Sequence, residues 1–185
     1  AAAPVAMRYG MAPETVARSL ASQHTISPHR MALSTVNREG TSFTLIDDSF
    51  NANPDSMKAG LNGLKAWNSN DGKEPFRVAL LGAMLELGAD ETALHTSIGT
   101  YADELGIDAI IAVGSAQDQH LDALAQALAD GARQSQSASV DCVHDIDAAE
   151  QLVIDLARNH PDAVVLLKGS HASGLSALAE RWAKN

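Results

Sequence analysis

Residues 43–57 read FTLIDDSFNANPDSM, an apolar run followed at once by a dense group of acids and carboxamides. The run at 43–46 has the composition of a buried strand, and the segment Asn-Pro-Asp-Ser turns the chain into a helix with Pro54 in its first turn. Burying so polar a segment without hydrogen-bond partners would be costly. Because open α/β sheets bind ligands at the carboxyl ends of their strands, this segment is predicted to be a ligand-facing loop.

The segments around this loop predict the fold class. Residues 31–36 and 42–46 read as two strands joined by a turn at Gly40. From residue 76 onward, strand and helix patterns alternate to the end of the chain. These strands are apolar without alternation, which indicates burial on both faces. The sequence therefore predicts an α/β, Rossmann-like fold, with a mainly parallel sheet, helices on both faces and an antiparallel edge hairpin.

Composition and charge narrow the classes of function. The chain has 185 residues and a net charge of −10, which favours one principal domain and argues against a partner that is nucleic acid or a membrane surface. No apolar run approaches the roughly 18 residues of a membrane helix. The single cysteine, Cys142, excludes an intramolecular disulfide and suits a reducing cytosol, so a cytoplasmic location and a structural thiol are expected. The histidines have no metal-ligand spacing, and no metal site is predicted.

Four stretches resemble the Mur ligase family, the ATP-dependent amide-forming enzymes of peptidoglycan precursor synthesis. They are His-Arg-Met at 29–31, the loop at 47–57, LGAMLELG at 81–88 with His95 after it, and Lys-Gly-Ser at 168–170. Their order and spacing are similar to the C-terminal domain of the branch that adds D-alanyl-D-alanine to the UDP-N-acetylmuramoyl-tripeptide. The resemblance implies these two substrates, together with ATP and Mg²⁺.

The resemblance also implies a domain division. A complete family member has three domains, and its central domain carries a phosphate-binding loop of the form Gly-x-x-Gly-Lys-Thr/Ser, which does not occur here. We therefore expect residues 1–28 to be the end of the central ATPase domain plus a linker, and residues 29–185 to be the C-terminal domain. The chain would then be a fragment that lacks catalytic residues, works with the N-terminal and central domains of its parent, and is inactive alone.

Candidate nucleotide contacts follow strand 43–46. In Mur ligases an Asp at the end of this strand binds the ATP ribose, which favours Asp48 over Asp47. The residues alone leave helix or turn capping open for both. The Asn-Ala-Asn-Pro loop of the related ligase faces the nucleotide, which implies Asn51 and Asn53. For these two, a loop in which Asn tolerates unusual backbone angles is the alternative.

Three further candidates lie in the short motifs. Arg30 corresponds to a family Arg that approaches ATP from the linker, with His29 standing where the family has Gly; a solvated charge is the alternative. Lys168 could pair with the carboxylate of the incoming dipeptide, and Ser170 could add a hydroxyl. The alternative is a solvated Lys at a Gly turn. His171 occupies a position that is often Arg in the family.

Other interpretations remain open from the sequence. Ala83 stands where the family usually has an acid, whereas His95 matches its pattern, and a lone His on a helix is interpreted as structural. A folylpolyglutamate-synthase-like ligase is one alternative, although its motif usually carries His-Asn-Pro, which residues 51–54 do not reproduce. A non-catalytic Rossmann-like binding module is the other alternative.

Overall fold

The computed structural model describes residues 2–21, 29–68, 74–135 and 138–184. These ranges contain six β-strands and seven α-helices. The strands are β1 (Ala32–Arg38), β2 (Thr41–Asp48), β3 (Arg77–Gly82), β4 (Ala109–Val113), β5 (Ser139–Val143) and β6 (Val164–Lys168). The helices are α1 (Ala2–Arg8), α2 (Pro13–Ala21), α3 (Pro54–Ala66), α4 (Glu91–Glu104), α5 (Gln119–Ala132), α6 (Ile146–Asn159) and α7 (Leu175–Trp182). The linker predicted before residue 29 includes residues 22–28, which lie outside the described ranges.

The strands form one sheet in the order β1-β2-β6-β3-β4-β5. The β1–β2 hairpin is antiparallel, and every other neighbouring pair is parallel. The predicted Rossmann-like fold with an antiparallel edge hairpin is therefore confirmed. The register pairs Asp48 of β2 and Leu81 of β3 with Lys168 of β6, so these three strands end at the same level.

Two apolar layers bury the sheet from both sides. Helices α3, α4 and α5 contribute to one cluster, while α6 and α7 contribute to the other. Within β3, Ala79 and Leu81 belong to the first cluster, whereas Val78 and Leu80 belong to the second. This division explains why the strand is apolar at successive positions. In the described ranges, no helix has the length and apolarity needed to cross a membrane.

The point at which the strand connections change faces of the sheet lies between β3 and β6. The chain leaves β3 toward α4 on one face and leaves β6 toward α7 on the other, which is the arrangement that opens a ligand crevice at the carboxyl ends. The backbones approach closely here: a Cβ on Gly169 would lie 2.6 Å from Ser173 Oγ and 3.0 Å from Gly82 Cα. Glycine at position 169 therefore lets the two loops pack together at this edge.

Candidate functional site

Asp48 and Lys168 form an ion pair at the carboxyl edge of the sheet. Lys168 Nζ lies 2.7 Å from Asp48 Oδ2 and donates a second hydrogen bond of 3.2 Å to the carbonyl oxygen of Asn51. The lysine side chain is 1% exposed and the aspartate side chain 19%. The structure therefore joins two residues that the sequence assigns to different ligands, and Lys168 is a buried partner of Asp48 rather than a solvated cation.

The carboxylate of Asp48 keeps capacity for a ligand. Its Oδ1 accepts a 3.2 Å hydrogen bond from the backbone N–H of Met31, while Oδ2 accepts from Lys168. A carboxylate offers about four lone-pair sites, so these two bonds leave acceptor positions for hydroxyl donors. Asp48 lies at a strand end, is partly exposed and is held in place on both oxygens, which suits it to accept from a ribose.

The two asparagines of the loop use their carboxamide oxygens within the loop. Asn51 Oδ1 accepts from the backbone N–H of Ala52 at 2.8 Å. Asn53 is the N-cap of α3, where its Oδ1 accepts from Ser56 N at 2.8 Å, and Ser56 Oγ accepts from Asn53 N at 3.0 Å. This reciprocal capping box fixes the start of the helix. Contact of either side chain with a nucleotide stays a prediction; in each, the amide nitrogen and one lone pair of the oxygen are not used by these hydrogen bonds.

Arg30 stacks on an aromatic ring at the rim of the site. Its Cζ lies 4.2 Å from the centroid of the Phe50 ring, and both side chains are exposed. The carbonyl oxygen of His29 accepts from Phe50 N at 3.1 Å, which ties residues 29–31 to the loop after β2. Phe50 is not among the residues predicted from the sequence, although an aromatic residue inside a polar loop is a visible signal. The contact holds the guanidinium above the loop.

His29 adopts the left-handed backbone conformation that Gly would take readily. Its φ is 58°, and its Nδ1 lies 2.8 Å from Asp47 Oδ2. Asp47 Oδ1 also accepts from the N–H and the hydroxyl of Ser49. Tertiary bonds thus stabilise a conformation that is uncommon for a residue with a side chain. Asp47 acts as a turn cap, the alternative that the sequence left open for it.

Ser170 presents an orphan hydroxyl beside the crevice. Its backbone N–H donates to the carbonyl oxygen of Ala83 at 2.9 Å, and its own carbonyl accepts from Ser173 Oγ at 2.6 Å. Among the side chains that the structure describes, only the Ser170 hydroxyl is a buried polar group without a hydrogen-bond partner. Buried polar groups are nearly always paired, so this hydroxyl is an exception among the described side chains, with its donor and acceptor both unused by the protein.

Sequence comparison identifies the family. A model described as the Mur ligase, glutamate ligase domain, matches residues 29–171. The chain belongs to the Mur ligase family. The UDP-N-acetylmuramoyl-tripeptide–D-alanyl-D-alanine ligase of Mycobacterium tuberculosis (strain CDC 1551 / Oshkosh) is 38% identical over 97% of this chain. The chain spans 36% of the length of that relative.

Solved structures of Mur ligases share the fold. MurF from Acinetobacter baumannii superposes with a TM-score of 0.72 at 24% identity, over 97% of this chain and 35% of that chain. MurF from Thermotoga maritima, solved in complex with ADP, has a TM-score of 0.59 at 21% identity, over 94% of this chain and 36% of that chain. A folylpolyglutamate synthase of Mycobacterium tuberculosis gives 0.56 at 19% identity, over 95% and 36%. These likenesses establish the fold of this Mur ligase chain.

His95 holds the loop after β3 in the Mur ligase domain. It is fully buried, and its Nε2 accepts from Met84 N at 2.9 Å while its Nδ1 lies 2.7 Å from the carbonyl oxygen of Glu91. These partners require a neutral ring with the proton on Nδ1. Burial lowers the pKa of His95, against the raising effect of the Glu91 carbonyl and carboxylate. The structural role expected for this histidine is confirmed.

We expect this Mur ligase domain to become less stable as the pH is lowered, and we expect His95 to account for part of that loss. Its lowered folded pKa means that the unfolded chain takes up a proton first, near its ordinary value of about 6.5. The contribution is fully present above that pH and is lost as the pH falls toward the lower folded pKa. Urea unfolding at about pH 7.5 and about pH 5.5 should show a smaller difference in His95→Gln than in the wild type. An unchanged difference would contradict this role. The comparison variant His144→Gln removes a mostly exposed ring that lies 2.6 Å from Asp122, and it should not reduce the difference.

The remaining groups to consider in the described residues are clusters of metal-ligating side chains and the thiol of Cys142. Those residues contain no group of three or more His, Cys, Asp or Glu side chains that could hold a metal ion. Cys142 is a free thiol in β5, and burial, followed by the nearby carboxylate of Asp122, raises its pKa. A raised pKa keeps the thiol protonated and poorly nucleophilic, which agrees with the structural role expected for it.

Proposed function

We propose that this chain is the C-terminal domain of an ATP-dependent ligase that adds D-alanyl-D-alanine to the UDP-N-acetylmuramoyl-tripeptide in the cytoplasm. The observation that carries the proposal is the 38% identity with the M. tuberculosis ligase of that name, which extends over 97% of the chain. In this proposal residues 1–28 are the end of the central ATPase domain plus its linker, and residues 29–185 are the C-terminal domain. The family match over residues 29–171 supports that division.

The nucleotide is proposed to bind at the carboxyl edge near β2. Asp48 would accept hydrogen bonds from the ribose. Arg30, which stacks on the Phe50 ring, would approach the phosphates. The amides of Asn51 and Asn53 would face the nucleotide. ADP bound to the T. maritima MurF supports an adenine nucleotide for this ligase. Mg²⁺ would accompany ATP, with its ligands mostly in the domain that carries the phosphate-binding loop.

The proposed reaction has two steps, and this domain serves both by positioning. The γ-phosphoryl group of ATP passes to the terminal carboxylate of the tripeptide, which gives an acyl phosphate and ADP. The amine of D-alanyl-D-alanine then attacks the acyl carbon, the amide bond forms, and phosphate leaves. Holding the nucleotide and the dipeptide in the right geometry can contribute several kcal/mol to such a reaction.

The dipeptide is proposed to bind beside β6. The Ser170 hydroxyl follows β6 at the carboxyl edge of the sheet; it is buried without a hydrogen-bond partner, and it would donate one hydrogen bond to a carboxylate once the loop moves to expose it. The sequence also assigns Lys168 to this carboxylate, but its ammonium group is buried and bonded to Asp48. Both side chains are buried, and Ser170 is the one whose hydrogen-bond donor is not already used.

An assay of ADP release by the ligase that contains this domain tests the proposed function. We expect release only when ATP, UDP-N-acetylmuramoyl-tripeptide and D-alanyl-D-alanine are all present, and we expect none from the 185-residue chain alone. Omission of the dipeptide and its replacement by L-glutamate are the matched controls. Release that depends on a folate and L-glutamate instead would favour the folylpolyglutamate-synthase-like alternative, and no release with either set would favour a non-catalytic binding module.

A further inference from the structure

The ammonium group of Lys168 contacts protein acceptors and is closed off from solvent. Its side chain is 1% exposed, with Asp48 Oδ2 at 2.7 Å and the Asn51 carbonyl oxygen at 3.2 Å. To bind a dipeptide carboxylate directly, Lys168 would have to leave Asp48 or accept a second anion in a buried position. Leaving a buried charge partner is costly, so the observed pair is the stable arrangement.

The aliphatic stem of Lys168 is equally confined. It lies against α3 at Gly60, where an added Cβ would be 2.7 Å from Lys168 Cδ and 3.4 Å from Cε. The same Cβ would lie 3.6 Å from Leu166 Cδ2. Gly60 therefore makes the room in which the stem reaches from β6 to the loop after β2.

We propose that Lys168 is a positioning residue for the nucleotide-facing loop, acting through Asp48 and the Asn51 carbonyl. It fixes the orientation of the Asp48 carboxylate and the position of residue 51, and it ties both to β6, the strand that precedes Ser170. This inference rests on the proposed function, because the loop is taken to face the nucleotide. It makes nucleotide binding, rather than dipeptide binding, the property that depends on Lys168.

Lys168→Met in the ligase that contains this domain separates the two roles. The substitution keeps the length of the stem and removes the charge. We expect the KM for ATP to rise roughly tenfold, the loss of about one charge-assisted hydrogen bond, while the KM for D-alanyl-D-alanine changes less than about twofold. A rise in the dipeptide KM alone would overturn the inference, because it would mean direct contact with the dipeptide.

Gly60→Ala moves the stem and retains the charge, so it tests the same role in a variant that keeps every ionisable group. It should raise the KM for ATP in the same direction, whereas Gly63→Ala on the same helix meets only the flexible end of Met31, at 3.3 Å, and should not. An unchanged KM for ATP in Gly60→Ala, with thermal unfolding showing a folded protein, would contradict the inference.

Titration with ADP tests the role of Lys168 independently of the proposed function. If the wild-type ligase shows no dipeptide-dependent turnover, the proposed function fails, and titration of ADP into the same variants still reports on Lys168. Weaker ADP binding in Lys168→Met and Gly60→Ala than in Gly63→Ala supports the positioning role. Equal binding in all three overturns it.

Discussion

Gly131→Ala is expected to lower the free energy of unfolding of this domain by about 3 kcal/mol, at the upper end of the range for overpacking. A Cβ on Gly131 of α5 would fall on the carbonyl oxygen of Thr96 in α4, and a Cβ on Gly99 of α4 would fall on the carbonyl oxygen of Leu128 in α5. Both obstacles are backbone atoms, which cannot rotate away as a side chain can. The helices must separate to admit the methyl group, and their shared core with the sheet would loosen.

Urea unfolding and thermal melting measure this effect directly. A loss of about 3 kcal/mol corresponds to a fall in Tm of roughly 6–12 °C for a chain of this size. Gly63→Ala in α3 is the matched control, because it adds the same methyl group to a helix with only a flexible methionine end nearby, and alanine favours a helix by up to about 1 kcal/mol over glycine. A Gly131→Ala protein as stable as the wild type would mean that α4 and α5 are not so closely packed.

Asp48→Ala is expected to raise the KM for ATP about 10- to 150-fold in the ligase that contains this domain. One charge-assisted hydrogen bond to the ribose is worth roughly 1.5–3 kcal/mol, and that energy sets the range. The structure adds a second consequence: without Asp48, the buried ammonium of Lys168 loses its 2.7 Å partner. The single variant should therefore also be less stable.

The double variant Asp48→Ala/Lys168→Met separates the two effects of the substitution. It removes the stranded charge, so stability should recover relative to Asp48→Ala, whereas the KM for ATP should stay high. The part of the Lys168 effect that acts through Asp48 is already lost in Asp48→Ala, so the rise in KM of the double variant should be smaller than the product of the two single rises. A folded Asp48→Ala ligase with the wild-type KM would reassign Asp48 to a purely structural role as the partner of Lys168.

The fold could be predicted from the sequence because its signals are local and repeated. The three central parallel strands, β3, β4 and β6, are apolar runs buried on both faces, as Ala79 and Leu80 show by packing into opposite clusters. Pro54 begins α3, and the polar loop before it lies at the carboxyl end of β2. Open α/β sheets bind ligands at this end of their strands. These features depend on composition and spacing along the chain.

The pairing of side chains across the site could not be predicted in the same way. Asp48 and Lys168 are 120 residues apart, and only the position of β6 beside β2 brings them together. A lysine after a strand reads as a solvated charge, so its burial was not foreseen. Arg77 is a similar case: it is buried at the start of β3, and its guanidinium donates to the carbonyl oxygens of Leu64 and Trp67 at the end of α3.

The left-handed backbone conformation of His29 could not be predicted from the sequence either. The resemblance to the Mur ligases shows a glycine replaced at this position, which leaves the backbone geometry undetermined. The structure keeps the left-handed conformation, with φ of 58°, and stabilises it through Asp47 and the N–H of Phe50. Both contacts join segments that the turn at Gly40 and the hairpin bring back together, so they follow from the fold rather than from the motif.

The central claim is that the nucleotide and the dipeptide bind at the carboxyl edge formed by β2, β6 and β3. Amide hydrogen exchange of the ligase that contains this domain, measured with and without ADP and then with D-alanyl-D-alanine, tests it without any substitution. We expect ADP to slow exchange in residues 48–53 and the dipeptide to slow exchange in residues 168–174, while α4 and α5 stay unchanged. Unchanged exchange in both segments at saturating ligand, with slowing confined to other parts of the ligase, would contradict the claim.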